Sequence, residues 1–174
     1  MKKMCGLLML FQLVLVSCND TLLEEKQVAC YFQYEYVNYA WGFNHSGFTI
    51  TPAGELFSFV KTTPWVFAEN GKLSLTALNK NLQASVKVDS LISKKDIAYY
   101  QQLALSAMAG KIGDPVNRGA DMGALICKII VPDTTNSSNG FLEIILSEKG
   151  DWERKNLAPE ATLIAEWLAK LKFH

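Results

Sequence analysis

Across residues 28–41 the side chains alternate. Val28, Cys30, Phe32, Tyr34 and Tyr36 fall on one side, and Ala29, Tyr31, Gln33 and Glu35 on the other. A period of two residues is that of a β-strand, and the stretch is rich in aromatic and β-branched side chains that favour one. Gln33 and Glu35 mark the wetter face, so the Cys30 row is expected to look inward. Asn44-His45-Ser46-Gly47 reads as a turn, residues 48–51 as a second strand, Pro52-Ala53-Gly54 as another turn, and residues 55–61 as a third strand. Three antiparallel strands in a meander follow from that spacing.

The period then changes. Residues 73–82 lean towards a short helix. A longer helix opens at Ser93, with Asp96 three residues on in the manner of a capping box, and runs to Ala109 before Gly110. Ile97, Tyr100, Leu103, Ala104, Ala107 and Met108 lie along one stripe of it. Residues 110–123, dense in Gly, Asp, Asn and Pro, form a loop, and the apolar run 124–131 a strand. Residues 141–147 pair back on that strand across a polar loop, and 148–151 turn the chain. Pro159 suits the first turn of a final helix, whose Leu163, Ile164, Trp167, Leu168 and Leu171 share a face. The expected class is α+β: an antiparallel sheet, made of a three-stranded meander plus a hairpin, covered by two or three helices in a single domain over 28–174.

The N-terminus follows another pattern. Lys2 and Lys3 precede an apolar run over residues 6–16, shorter than the roughly 20 residues a spanning helix needs, and Asn19-Asp20 follows at once. The run ends in Leu15-Val16-Ser17-Cys18, which resembles the lipobox of bacterial lipoproteins. That resemblance implies a diacylglycerol group on the Cys18 thiol, cleavage that removes the signal peptide 1–17, and palmitate-type acylation of the new amine. Residues 18–27 become a lipidated tether, and the membrane is met only through the anchor. The location implied is the cell envelope, with Asn19 after the cysteine pointing to the outer rather than the inner membrane.

Charge changes the picture only by exclusion. The chain has 17 basic and 17 acidic residues; Lys2 and Lys3 leave with the signal, so 15 bases face 17 acids. Broad nucleic-acid binding wants a basic excess that this chain lacks. Cys5 leaves with the signal and Cys18 is lipidated, so Cys30 and Cys127 remain: either a bridge suited to an oxidising compartment or two buried thiols.

Catalytic signatures are thin. There is no HExxH, no CxxC and no GxSxG, and Ser58 and Lys61 sit three apart on a predicted strand, pointing to opposite faces. No catalytic residue, metal ligand or cofactor is assigned. Of the two histidines, His45 is expected at a turn tip. Asp114, Asp121, Glu148, Asp151 and Glu153 gather if the loops flanking the hairpin share one end of the sheet. Exposed aromatics such as Tyr39, Trp41 and Trp152 would make a binding platform, so the candidate binding residues are Tyr39, Trp41, His45, Asp121, Asp151 and Trp152.

Asp20-Thr21-Leu22, Asp89-Ser90-Leu91 and Asp133-Thr134-Thr135 resemble the O-glycosylation acceptor sequence of Bacteroidota-type envelope proteins, which implies modification at Thr21, Ser90 and Thr134. Two stretches, Ala40-Trp41-Gly42-Phe43-Asn44-His45-Ser46-Gly47 and Ser147-Glu148-Lys149-Gly150-Asp151-Trp152, are similar to small uncharacterised bacterial lipoproteins. No activity comes with that similarity. The leading expectation is a lipid-anchored, non-catalytic module for a protein, glycan or small-molecule ligand. Two other classes stand beside it: an envelope hydrolase or metal-dependent enzyme using the acidic loop cluster, and an immunity or inhibitor lipoprotein.

Overall fold

A computed structural model describes residues 28–60, 64–135 and 140–171. The expected signal peptide 1–17, the expected lipidation site Cys18 and the expected tether with Thr21 lie outside the described residues. In chain order the elements are β1 (Tyr31–Asn38), β2 (Asn44–Ile50), β3 (Glu55–Val60), β4 (Lys72–Ser74), α1 (Leu75–Gln83), β5 (Val86–Leu91), α2 (Lys94–Ala109), β6 (Val116–Asn117), β7 (Ala124–Pro132), β8 (Gly140–Gly150), β9 (Trp152–Lys155) and α3 (Pro159–Lys170). The strands form one nine-stranded sheet in the order β5-β3-β2-β1-β7-β8-β9-β6, with β4 also on β8, and every strand pair is antiparallel. The fold is α+β. Its meander β1-β2-β3 and hairpin β7-β8 are as expected, but the sheet is larger than those two units.

One face of the sheet carries the main core. Cys30, Phe32, Phe48, Ile50, Leu56, Cys127, Ile129 and Leu146 meet Ile97, Ala104 and Ala107 of α2 and Ala161, Ile164 and Leu168 of α3. Trp167 stacks on Tyr100 at 3.9 Å between ring centroids and meets Phe32 edge-on, joining both helices to the sheet. The α2 start is as expected: Ser93 Oγ accepts the Asp96 backbone N–H at 3.1 Å, and the hydroxyl donates to the Asp96 carboxylate. Of the expected stripe on α3, Leu163 is the exception, since it faces solvent.

On the opposite face, α1 covers one end only, packing Ala77 and Leu78 on Ile130, Tyr31 and Phe141. The rest of that face is left for polar side chains and for a cleft.

Two expectations need correction, those for residues 44–47 and for Gln33 and Glu35. Residues 44–47 are not a turn: β2 starts at Asn44, because Gly47 is needed in the strand. A Cβ there would come within 2.9 Å of Phe59 Cζ and collide with the Tyr34 carbonyl. The chain does reverse over 148–151, tightly: β8 runs on to Gly150, β9 begins at Trp152, and Glu148 pairs with Arg154. Gln33 and Glu35 do not face water; they are 3% and 2% exposed. Of the two alternatives for Cys30 and Cys127, the structure has the buried thiols; both are free. Cys127 lies opposite Tyr34, four residues along β1 from Cys30. At ~3.3 Å per residue, that exceeds the roughly 7 Å between Cα atoms that a disulfide tolerates.

A cleft over a buried ion network

The polar face is built by register. β1 points Gln33, Glu35 and Val37 to it, and their partners on the flanking strands are Thr49, Gly47 and His45 on β2, and Lys128, Ile126 and Ala124 on β7. Glu143 of β8 completes the group, with Ile145 opposite Lys128 beside a bulge at Cys127/Lys128.

These side chains satisfy one another. Glu35 Oε1 takes the Lys128 ammonium at 2.9 Å, and the same ammonium reaches Glu143 Oε2 at 2.9 Å. Glu35 Oε2 accepts from Gln33 Nε2 at 2.6 Å and from His45 Nε2 at 3.0 Å, and Thr49 Oγ1 donates to Gln33 Oε1 at 3.3 Å. Burial is the largest influence on Glu35 and would raise its pKa. The Lys128 charge and the hydrogen bonds from His45 and Lys128 together outweigh it, and hold the carboxyl down at about 2. Burial likewise works to lower Lys128, but the two facing carboxylates more than compensate and its pKa is raised. Lys128 is therefore a committed cation, with its charge shared between two acids.

His45 departs from expectation. It sits within β2 and is fully buried, with its ring among Phe59 (4.8 Å between centroids), Trp65 (4.7 Å) and Phe67 (5.2 Å). Its Nδ1 is the one buried side-chain nitrogen or oxygen among the described residues that lacks a hydrogen-bond partner.

Above this floor lies a cleft of about 620 Å³, within the range that holds small ligands. Glu35, Lys128 and Glu143 line its base, with Ile126, Ala124 and Ile145 as apolar floor. Tyr39, Phe67 and Trp152 stand on the walls, and Asp121, Glu148 and Asp151 on the rim. Four connections build the walls: the β1–β2 turn, the segment before β4, and the adjoining ends of the β6–β7 and β8–β9 connections. Asp151 ties the last two together: its Oδ1 accepts the Met122 backbone N–H at 2.7 Å, and its own N–H donates to the Gly123 carbonyl at 2.9 Å. Gly123 has φ +74°, and a Cβ would lie 2.6 Å from the Val37 carbonyl oxygen, so only glycine lets the rim fold against β1.

Of the six residues singled out as binding candidates, Tyr39, Asp121, Asp151 and Trp152 come together around this cleft. His45 lies behind Glu35, and Trp41, 87% exposed, stands outside the lining. Of the acidic group, Glu148 joins Asp121 and Asp151 on the rim and is bound by Arg154 at 2.5 Å. Glu153 pairs instead with Arg118 at 2.7 Å, and Asp114 takes no part in the lining. Among the described residues, no three His, Cys, Asp or Glu side chains converge closely enough to hold a metal ion. Ser90 and Thr134 are both exposed. Sequence reasoning missed Lys128 and Glu143. Their signal was a lone charge within an apolar run, Lys128 in residues 124–132 and Glu143 in residues 141–147, which calls for a buried partner.

The floor is fixed charge rather than a reactive group. Both Glu35 oxygens are occupied, Lys128 is held between two carboxylates, and His45 is sealed from the cleft's solvent. Comparison with protein-family models, curated proteins and solved structures finds no match to this chain.

Proposed function

We propose that the protein is a lipid-anchored module of a bacterial cell envelope that works by binding, and that its ligand sits in the cleft over Glu35, Lys128 and Glu143. The observation that carries this reading is the convergence of exposed rings and carboxylates from four separate connections on one cavity with an internally paired floor. Such a floor costs stability to assemble and supplies no free acid or base, which suits a fixed receptor better than a reaction centre. The anchor reading rests on Leu15-Val16-Ser17-Cys18. The chain enters the domain at the Tyr31 end of β1, and Tyr39 of the cleft wall follows its far end, roughly 25 Å away at ~3.3 Å per residue. An anchored domain can therefore hold the cleft away from the bilayer.

Two measurements test it. Detergent partition should place the wild-type protein in the detergent phase and Cys18→Ala in the aqueous phase; identical behaviour would refute the anchor. A fragment library observed by NMR should give hits that shift the Trp152 indole N–H and are lost in Tyr39→Ala. A library of cations, anions and polyols in which no member perturbs Trp152 would refute the cleft.

A further inference from the structure

We infer that the ligand of this cleft is an organic cation, an ammonium or guanidinium group carried on an apolar or aromatic body. The inference rests on the binding reading above and adds the ligand's chemistry. Glu35 and Glu143 share the single ammonium of Lys128, so the lining of the floor holds two carboxylates to one ammonium. Glu148 is balanced by Arg154. The Asp151 carboxylate holds a backbone N–H, and Asp121 stands exposed on the rim with no counter-ion among the described residues. The lining thus carries a negative excess in three places, and its only cation is already committed. An anionic ligand would meet repulsion without a free donor charge to answer it.

The walls narrow the class further. Tyr39, Phe67 and Trp152 are 67%, 40% and 48% exposed, so ring surface is open beside the carboxylates. A cation over an aromatic face is attracted by the ring quadrupole, and more strongly so when partly desolvated, as it would be in a cleft. A bare metal ion does not fit, because the carboxylates are spread around the opening rather than gathered at coordination distance. A charged group with a body large enough to reach both rim and rings satisfies all of these features together.

Three probes of matched size decide it: 2-phenylethylammonium, the neutral 2-phenylethanol and the anion 3-phenylpropionate, each titrated into the full-length protein with the Trp152 indole N–H as reporter. The cation should bind roughly tenfold or more tighter than the alcohol, the anion should leave the indole unmoved, and high salt should weaken the cation alone. Asp121→Asn, a change at an exposed residue whose left-handed backbone (φ 66°) asparagine also adopts, should weaken the cation about threefold and leave the alcohol unchanged. Equal binding of the alcohol, or tighter binding of the anion, would overturn the cation while leaving the cleft as the binding site. A cation that never moves Trp152, while fragments of another class do, overturns it in the same way. Failure of every class at Trp152 overturns the cleft as well.

Discussion

His45 Nε2 lies 3.0 Å from Glu35 Oε2, and neither side chain reaches solvent. The pair belongs to a network in which each Glu35 oxygen is spoken for, and this sets how the protein answers acid. Glu35 is held down at about 2 against an ordinary value near 4.5. In the window between those values the unfolded chain binds the proton and the folded chain does not, so stability rises with pH there. The contribution is complete above about 4.5 and is lost as the pH falls towards 2. A shift of this size corresponds to about 3 kcal/mol. Urea denaturation across this range should show that slope in the wild type and a flatter one in Glu35→Gln, whose stability at neutral pH should also be lower. Equal slopes would mean that Glu35 titrates normally.

Lys128 carries the same network from the other side. Its raised pKa means that its stabilisation is present below the ordinary 10.5 and is lost only as pH climbs past that value. Lys128→Met leaves the buried Glu35 and the half-buried Glu143 without their shared cation and should cost about 3–5 kcal/mol at neutral pH. Adding Glu35→Gln should recover part of that cost, because the two sites share one charge pair. Strict additivity in chemical denaturation would show that the two groups do not interact.

How much of this was legible in the sequence depends on what a polar residue in a strand is taken to mean. The alternation of β1, the Ser93 start of α2 and Pro159 at the head of α3 all reflect local physics, and the chain states them plainly. Gln33 and Glu35 have the same alternation as a wet face, and only the long-range pairing of β1 with β2 and β7 turns that face inward. His45 looks like part of a turn because Asn, Ser and Gly surround it, whereas Gly47 is there to admit the Phe59 ring. β5, with Lys87, Asp89 and Ser90 in six residues, is an edge strand whose exposed positions give no apolar period to read. The cleft residues Tyr39, Asp121, Asp151 and Trp152 stand out by type alone, but their meeting depends on the β6–β7 and β8–β9 connections folding together against the end of β1.

The two cysteines make a prediction about reactivity. Burial in the main core pushes the Cys30 thiol up to about 12, and burial raises Cys127 despite a hydrogen bond from Ser147 and the nearby Lys149 charge. Neither thiol should react with a disulfide reagent at pH 8 in the folded protein, and both should react once it is unfolded in denaturant. A reductant should leave the thermal midpoint unchanged. Rapid labelling of the native protein, or a midpoint that drops on reduction, would contradict the buried-thiol arrangement.

The junction of the two core helices depends on one amide. Asn156, 2% exposed, donates from Nδ2 to the Ala107 carbonyl at 2.8 Å, near the end of α2, and accepts the Ala158 N–H on Oδ1 at 3.0 Å, at the start of α3. Ala158 precedes α3 without a side chain able to cap it, so Asn156 supplies the cap from two residues upstream while also giving a second donor to the Ala107 carbonyl, which the Gly110 N–H already reaches at 3.2 Å. Gly110 packs against this amide, and a Cβ there would collide with Asn156 Oδ1. Asn156→Ala removes both bonds, leaving the Ala158 N–H unpaired and the Ala107 carbonyl with the Gly110 N–H alone, so it should cost about 1–3 kcal/mol in chemical denaturation. Asn156→Asp keeps the acceptor for Ala158 but turns a carboxylate oxygen towards the Ala107 carbonyl. It should cost nearly as much at neutral pH and recover stability on mild acidification, because the protonated acid can donate again. If Asn156→Asp were as stable as the wild type at neutral pH, the bond to Ala107 would contribute nothing, and α2 and α3 would be held together by their apolar faces alone.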